Sequence, residues 1–298
     1  MQQCRVGLIG VGLMGHGIAL NVQKAGYPLI LLDHPGNQPV DGLLEKGAMT
    51  APTPQALAAQ VDVIILCVTG SPQVEDAMFG AEGVLKGLQP GTLIIDCSTA
   101  LPSSTLQVAA AVGTAGGRFI DAPMTRTPKE AAEGRLNLLV GGDEALFNEA
   151  LPLLKSFAEN VVHAGPLGSG HQMKLIHNFV SMGYTAVLAE AAACAARAGV
   201  SADVFVDILQ AGAGRGVVLE RLGPWLTRGD GSGLQFATAN ALKDMTYYTQ
   251  MAQEGGSFHG MADAARAVFQ LCVDTLPDSR VPEIVGVLQS AGSRKPAV

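Results

Sequence analysis

Three glycines, Gly10, Gly12 and Gly15, stand where a short apolar run, Cys4 to Ile9, gives way to helical apolar spacing from Gly15 to Ala25. A second apolar run, Pro28 to Leu32, follows Gly26, and Asp33 ends it. A strand, a glycine turn, a helix and a second strand closed by an acid are the parts of a dinucleotide site. The first glycine makes the tight turn, the second lets backbone approach a pyrophosphate, and the third lets helix pack on strand. The amides at the start of the helix, aided by its dipole, then face the phosphates. The turn Gly10-Val11-Gly12-Leu13-Met14-Gly15 is therefore expected to hold a dinucleotide.

Asp33 selects which one. A carboxylate at this place accepts hydrogen bonds from the adenosine ribose and repels a 2′-phosphate, whereas an arginine would welcome it. His34 follows, so NAD is preferred over NADP. The plainer reading of Asp33 is that it caps a turn.

The first half of the chain continues this rhythm. Val61 to Val68, Thr92 to Asp96, Arg118 to Asp121, Leu136 to Val140 and Asn160 to His163 read as strands. Pro72 to Phe79, a segment opening near Pro102, and Asp143 to Ser156 read as helices. Alternation of this kind predicts a doubly wound α/β sheet with helices on both faces. Ligands gather at strand ends in such sheets, which makes Val68, Thr69, Ser98 and Thr99 candidates for cofactor contact. Helix capping competes for Ser98.

The character changes after Gly165. His171 to Ala198 has helical spacing over about 28 residues, or about 42 Å. Ser201 to Ala211, Val217 to Trp225, Ala237 to Gln253 and Met261 to Leu276 read as shorter helices. The division expected is residues 1–165, a nucleotide-binding domain, and residues 166–298, an all-α substrate and dimerisation domain entered through the long helix.

Composition excludes other classes. A net charge of −7 leaves no basic footprint for nucleic acid. Polar residues and glycines interrupt every apolar run before the ~18 residues that span a bilayer, so no membrane partner is expected. No signal peptide is evident. The five cysteines are scattered singly, as reduced thiols of a cytoplasmic protein would be. Histidine spacing offers no metal-ligand pattern, so no metal is expected.

Five ordered motifs carry a resemblance. They are Gly7 to Gly15, Asp121-Ala122-Pro123, Val140-Gly141-Gly142, Gly168-Ser169-Gly170 with Lys174 and Asn178, and Lys243-Asp244. Together they resemble the β-hydroxyacid dehydrogenase family, which includes 3-hydroxyisobutyrate dehydrogenases and tartronate semialdehyde reductases. The resemblance spans nearly the whole chain. It implies a Rossmann domain joined by a long helix to a helical domain, with the active site in the cleft. It also implies an NAD-dependent oxidoreductase that interconverts a short 3-hydroxy acid and its semialdehyde or keto form, working as a homodimer or homotetramer.

The resemblance assigns Lys174 as the general acid and base. Hydride transfer to a carbonyl leaves an oxyanion that needs a proton, and the reverse reaction needs a base. An ordinary lysine titrates near ~10.4, and burial beside a cationic nicotinamide would bring it lower. Asn178 shares the helical face of Lys174 and is expected to bind substrate or to hold the lysine. Lys243 is placed near nicotinamide or substrate, with Asp244 beside it. A surface lysine is the alternative for Lys243.

The chain departs from the family where Ser-Gly-Gly is usual and Thr125-Arg126-Thr127 stands here. The guanidinium of Arg126 is a planar donor fork suited to carboxylate or sulfonate, and a similar Arg-Thr marks the sulfolactaldehyde-reductase-like branch. Thr125, Arg126 and Thr127 are thus expected to hold the anionic end of the substrate. Three other readings are an imine-reductase-like enzyme, a decarboxylating sugar-acid dehydrogenase and a non-catalytic NAD-binding scaffold. The first and the last would be expected to lack Lys174, and the second to be longer in its helical half.

Overall fold

The computed structural model describes residues 4–292. They form two compact units that divide between Lys174 and Leu175. In chain order the first unit contains β1 (Val6–Ile9), α1 (Leu13–Lys24), β2 (Leu29–Leu32), α2 (Asp41–Leu44), β3 (Met49–Ala51), α3 (Pro54–Ala58), β4 (Val63–Leu66) and α4 (Ser71–Phe79). It continues with β5 (Leu93–Asp96), α5 (Pro102–Thr114), β6 (Arg118–Asp121), β7 (Met124–Thr125), α6 (Pro128–Ala132), β8 (Leu136–Gly141), α7 (Glu144–Phe157) and β9 (Ala158–Gly165). Helix α8 (Ser169–Arg197) leads into α9 (Ala202–Ala211), α10 (Val217–Arg228), α11 (Thr238–Glu254), α12 (Gly260–Thr275) and α13 (Ile284–Ala291).

The strands form one sheet in the order β3-β2-β1-β4-β5-β6-β8-β7, with β9 on β8. Strands β3 to β6 along this order are parallel, and β8 runs antiparallel to β6 and β7. The order reverses between β1 and β4, which is where a doubly wound sheet opens its ligand crevice. The continuous apolar strands now have their explanation. On β4, Val63 and Ile65 enter one core, while Ile64 and Leu66 enter the core on the opposite face. A strand covered on both faces has no polar side to show.

Several elements differ from the expectations. α1 starts at Leu13, not Gly15, because the turn closes within two residues of Gly10. β9 is longer than Asn160 to His163: it is a half-exposed edge strand whose polar residues hide its length. β3 and α3 escaped the sequence reading because they are short and lack an apolar run. α6 carried a legible signal, since Thr127-Pro128-Lys129-Glu130 has the capping-box spacing with proline at the first helical position.

The second unit is helical, with an apolar core built around Leu188, Ala189, Leu219, Leu222, Met245 and Phe269. By length and composition alone α8 could cross a membrane, a correction to the reading that no segment here could. Its Leu175, Met182, Leu188 and Ala189 are instead buried in protein.

Candidate active site

The glycine turn comes first. Gly10 has φ +96°, and a Cβ there would lie 2.3 Å from the Cys67 carbonyl oxygen at the end of β4. A Cβ at Gly15 would lie 1.9 Å from the Gly10 carbonyl oxygen. Gly12 differs from both: a Cβ there would meet nothing within 4 Å, and its position at the start of α1 has no side-chain cap. Two glycines are thus required by the protein's own packing. The third leaves open space in front of uncapped helix amides, and this cradle fits a pyrophosphate.

The neighbouring residues divide by exposure. Leu13 is exposed, Met14 is half-buried and Asp33 stands exposed beyond β2. Val11 is wholly buried, its amide donates to Asn37 Oδ1 at 3.3 Å and its carbonyl accepts from the Gln38 amide at 2.8 Å. Val11, expected to take part in holding the dinucleotide, thus shapes the turn from within. Asn37, which also donates to the Leu32 carbonyl at 2.9 Å, went unnoticed in the sequence.

At the ends of β4 and β5, Val68 and Thr99 are half-buried and Thr69 is exposed. Ser98 is buried, and its Oγ accepts the Val68 amide at 3.1 Å while its own amide donates to Asp96 Oδ1 at 2.9 Å. Ser98, a candidate for cofactor contact, ties the ends of β4 and β5 together here.

Three of the motifs meet at the start of α8. The Asp121 carboxylate accepts the amides of Gly168 at 2.8 Å and His171 at 2.7 Å, so a residue from β6 caps the helix. A Cβ at Gly141 would lie 2.5 Å from Asp121 Oδ1, and one at Gly170 would lie 2.3 Å from the Leu139 carbonyl oxygen. These glycines let the first turn of α8 press against the sheet. Lys174, one turn on, donates from Nζ to the Met124 carbonyl oxygen at 2.7 Å. That carbonyl immediately precedes Thr125-Arg126-Thr127.

The side chains of that stretch are engaged within the protein. Thr125 Oγ1 accepts from Asn137 Nδ2 at 3.1 Å. Thr127 closes the capping box of α6, its amide donating to Glu130 Oε2 at 3.0 Å and its hydroxyl to the same oxygen. These bonds hold the Glu130 carboxyl below its usual range. Arg126 is the one non-glycine with positive φ among the described residues, at +84°. Its guanidinium donates to the Arg135 carbonyl and pairs with Glu159 on β9. The guanidinium expected to hold the substrate anion is engaged with Glu159 in this structure, and Thr127 is a helix cap. The backbone at Arg126 has the conformation that a glycine would adopt.

In the second unit, buried Asn178 donates from Nδ2 to Asp244 Oδ2 at 2.6 Å and its Oδ1 lies 3.0 Å from His177 Nδ1. Lys243 Nζ lies 3.2 Å from Asp244 Oδ1, in ion-pair range but without hydrogen-bond alignment, and 5.4 Å from the centre of the Tyr247 ring. Asp244 is therefore a buried anchor that orients Asn178 and Lys243.

Comparison with known proteins agrees with this anatomy. Residues 5–165 match the NAD binding domain of 6-phosphogluconate dehydrogenase, and residues 168–286 match the NAD-binding domain of NADP-dependent 3-hydroxyisobutyrate dehydrogenase. The chain belongs to the β-hydroxyacid dehydrogenase family. It is 32% identical to an NAD-dependent L-serine dehydrogenase of Pseudomonas aeruginosa, over 90% of this chain and 91% of that one. It is 30% identical to a 2-(hydroxymethyl)glutarate dehydrogenase of Eubacterium barkeri, over 89% and 88%. The solved 3-hydroxyisobutyrate dehydrogenase of Mycobacterium tuberculosis shares its fold, with TM-score 0.85 and 24% identity, over 96% of this chain and 99% of that one. The chain is an NAD(P)-dependent dehydrogenase of the 3-hydroxyacid type.

Proposed function

We propose that the chain is an NAD-preferring enzyme that interconverts a short anionic 3-hydroxy acid and its semialdehyde or keto form, with Lys174 as general acid and base. The observation that carries this reading is the 2.7 Å bond from Lys174 Nζ to the Met124 carbonyl. That carbonyl can only accept, so it takes one N–H and holds Nζ at the edge of the Thr125-Arg126-Thr127 stretch. When bound, NAD supplies the hydride acceptor, and its reduced form the donor. Lys174 takes the hydroxyl proton as the substrate carbon is oxidised and returns it to the carbonyl oxygen on reduction. Gly10, Gly12, Leu13, Met14 and Gly15 form the pyrophosphate cradle, Asp33 holds the ribose, and Val68, Thr69 and Thr99 line the strand ends beside it. The positive-φ turn at Arg126 presents its backbone, not its guanidinium, to the substrate anion. Asn178, oriented by Asp244, and Lys243 bind substrate or cofactor from the helical unit.

The same reading includes a homodimer or homotetramer in the cytoplasm. Amphipathic α9 has no buried residue, and its Val204 and Ile208 are exposed, as are Val180 and Val187 on α8. A second copy of the chain would cover such apolar surface. All five cysteines are unpaired, in keeping with a reducing compartment.

The test is a panel of L-serine, 3-hydroxyisobutyrate, 2-(hydroxymethyl)glutarate and a short hydroxysulfonate with NAD or NADP, followed by absorbance of the reduced nicotinamide. Turnover of at least one anionic 3-hydroxy acid is expected. Turnover only of uncharged alcohols would overturn the substrate class.

A further inference from the structure

His171 lies in the first turn of α8 with no exposure, and nothing in the chemistry above uses it. A buried imidazole must place both ring nitrogens. Nε2 lies 3.1 Å from the Ser98 carbonyl oxygen, which only accepts, so Nε2 carries a hydrogen. Nδ1 lies 2.7 Å from Thr105 Oγ1, whose hydroxyl in turn reaches the Leu101 carbonyl at 3.1 Å. The Asp96 and Asp121 carboxylates stand 3.9 Å and 3.8 Å from the two ring nitrogens. Burial pushes the Asp96 carboxyl above the ordinary range, against the pull of His171, and its Oδ2 has no hydrogen-bond partner.

These bonds join two parts of the site. Ser98 has its hydroxyl on the Val68 amide, its amide on Asp96 and its carbonyl on His171. His171 and Lys174 are three residues apart on α8, on one helical face. One side chain thus connects the ends of β4 and β5 to the helical turn that carries the lysine.

We propose that His171 is a positioning residue that sets the place of Lys174 relative to the ends of β4 and β5. This inference rests on Lys174 being the acid–base group. The bond to Ser98 fixes the rotation of the first turn of α8, and with it the point from which the lysine side chain departs. Without that bond Asp121 still caps the helix, but the turn can rotate about the cap.

The test compares His171→Ala and His171→Gln, each alone and combined with Lys174→Ala. NAD affinity is measured by calorimetry, and kcat and KM by steady-state kinetics. His171→Ala is expected to lower kcat about 10- to 100-fold, as a misplacement of order 1 Å would, with NAD affinity and KM within about threefold of wild type. Glutamine has an N–H that reaches the Ser98 carbonyl and is expected to recover most of the loss. In the Lys174→Ala background His171→Ala should change the residual rate less than about twofold, because there is no lysine left to misplace. An unchanged kcat, an equal loss in the Lys174→Ala background, no recovery by glutamine, or a loss of NAD affinity that matches the loss of kcat would overturn the proposal. A Lys174→Ala enzyme with nearly full kcat would instead overturn the acid–base reading, whatever His171 does. Should His171→Ala fail to fold, Thr105→Val removes the Nδ1 partner and keeps the shape. It is then expected to lower kcat about 3- to 10-fold with unchanged NAD affinity, a smaller version of the same misplacement. An unchanged kcat in that variant would overturn the proposal too.

Discussion

Lys174 Nζ donates a 2.7 Å hydrogen bond to the carbonyl of Met124, a residue 50 positions earlier in the chain. The bond reaches from the first turns of α8 to β7 and brings the lysine to the edge of the Thr125-Arg126-Thr127 turn. It makes Lys174 the group whose removal should be felt most in catalysis and least in cofactor binding.

Lys174→Ala should lower kcat about 10²- to 10⁴-fold, the usual contribution of a positioned acid or base. NAD affinity by calorimetry should stay within about threefold, since the glycine turn lies elsewhere in the unit. A variant that keeps more than about a tenth of wild-type kcat would show that another group handles the proton.

Asp33 stands exposed at the end of β2, where the ribose hydroxyls are expected. Wild-type kcat/KM should favour NAD over NADP. Asp33→Ala should narrow that preference about tenfold or more, since a carboxylate facing a phosphate costs about 1–4 kcal/mol at contact distance. Equal use of the two cofactors by the wild type would remove this role from Asp33.

The glycines of the turn should separate in their effects. Gly15→Ala drives a methyl group to 1.9 Å from a carbonyl oxygen and should destabilise the protein by about 1–3 kcal/mol in urea unfolding. Gly12→Ala meets nothing and should leave stability within about 0.5 kcal/mol. Its effect should appear in NAD affinity instead, because the added methyl occupies the cradle. Unchanged NAD binding by Gly12→Ala would move the pyrophosphate elsewhere.

Arg126 holds a φ of +84° that glycine adopts at no steric cost. Arg126→Gly should therefore be more stable than Arg126→Ala by about 1 kcal/mol, although both lose the contact with Glu159. If the backbone receives the substrate anion, Arg126→Gly should keep its KM for anionic substrates within about threefold. A loss of 10-fold or more, confined to charged substrates, would return that task to the guanidinium.

Short-range signals told most of the fold. The glycine turn, the doubly buried strands, the acid after β2 and the length of α8 each show in a few consecutive residues, because turn chemistry and side-chain periodicity are local. The capping box of α6 was local as well and was legible in Thr127 to Glu130. Edge strands β3 and β9 were harder, since half-exposed residues alternate too weakly to mark their ends.

The partners of individual side chains were another matter. Arg126 faces Glu159, Asp121 caps the turn of His171, and Ser98 ties β4 to β5. Each pairing joins positions at least 30 residues apart in the chain, and none could be read from the sequence. A side chain's chemical type states what it can bind. Which atom it meets depends on strands brought together by burial, and no run of neighbouring residues encodes that.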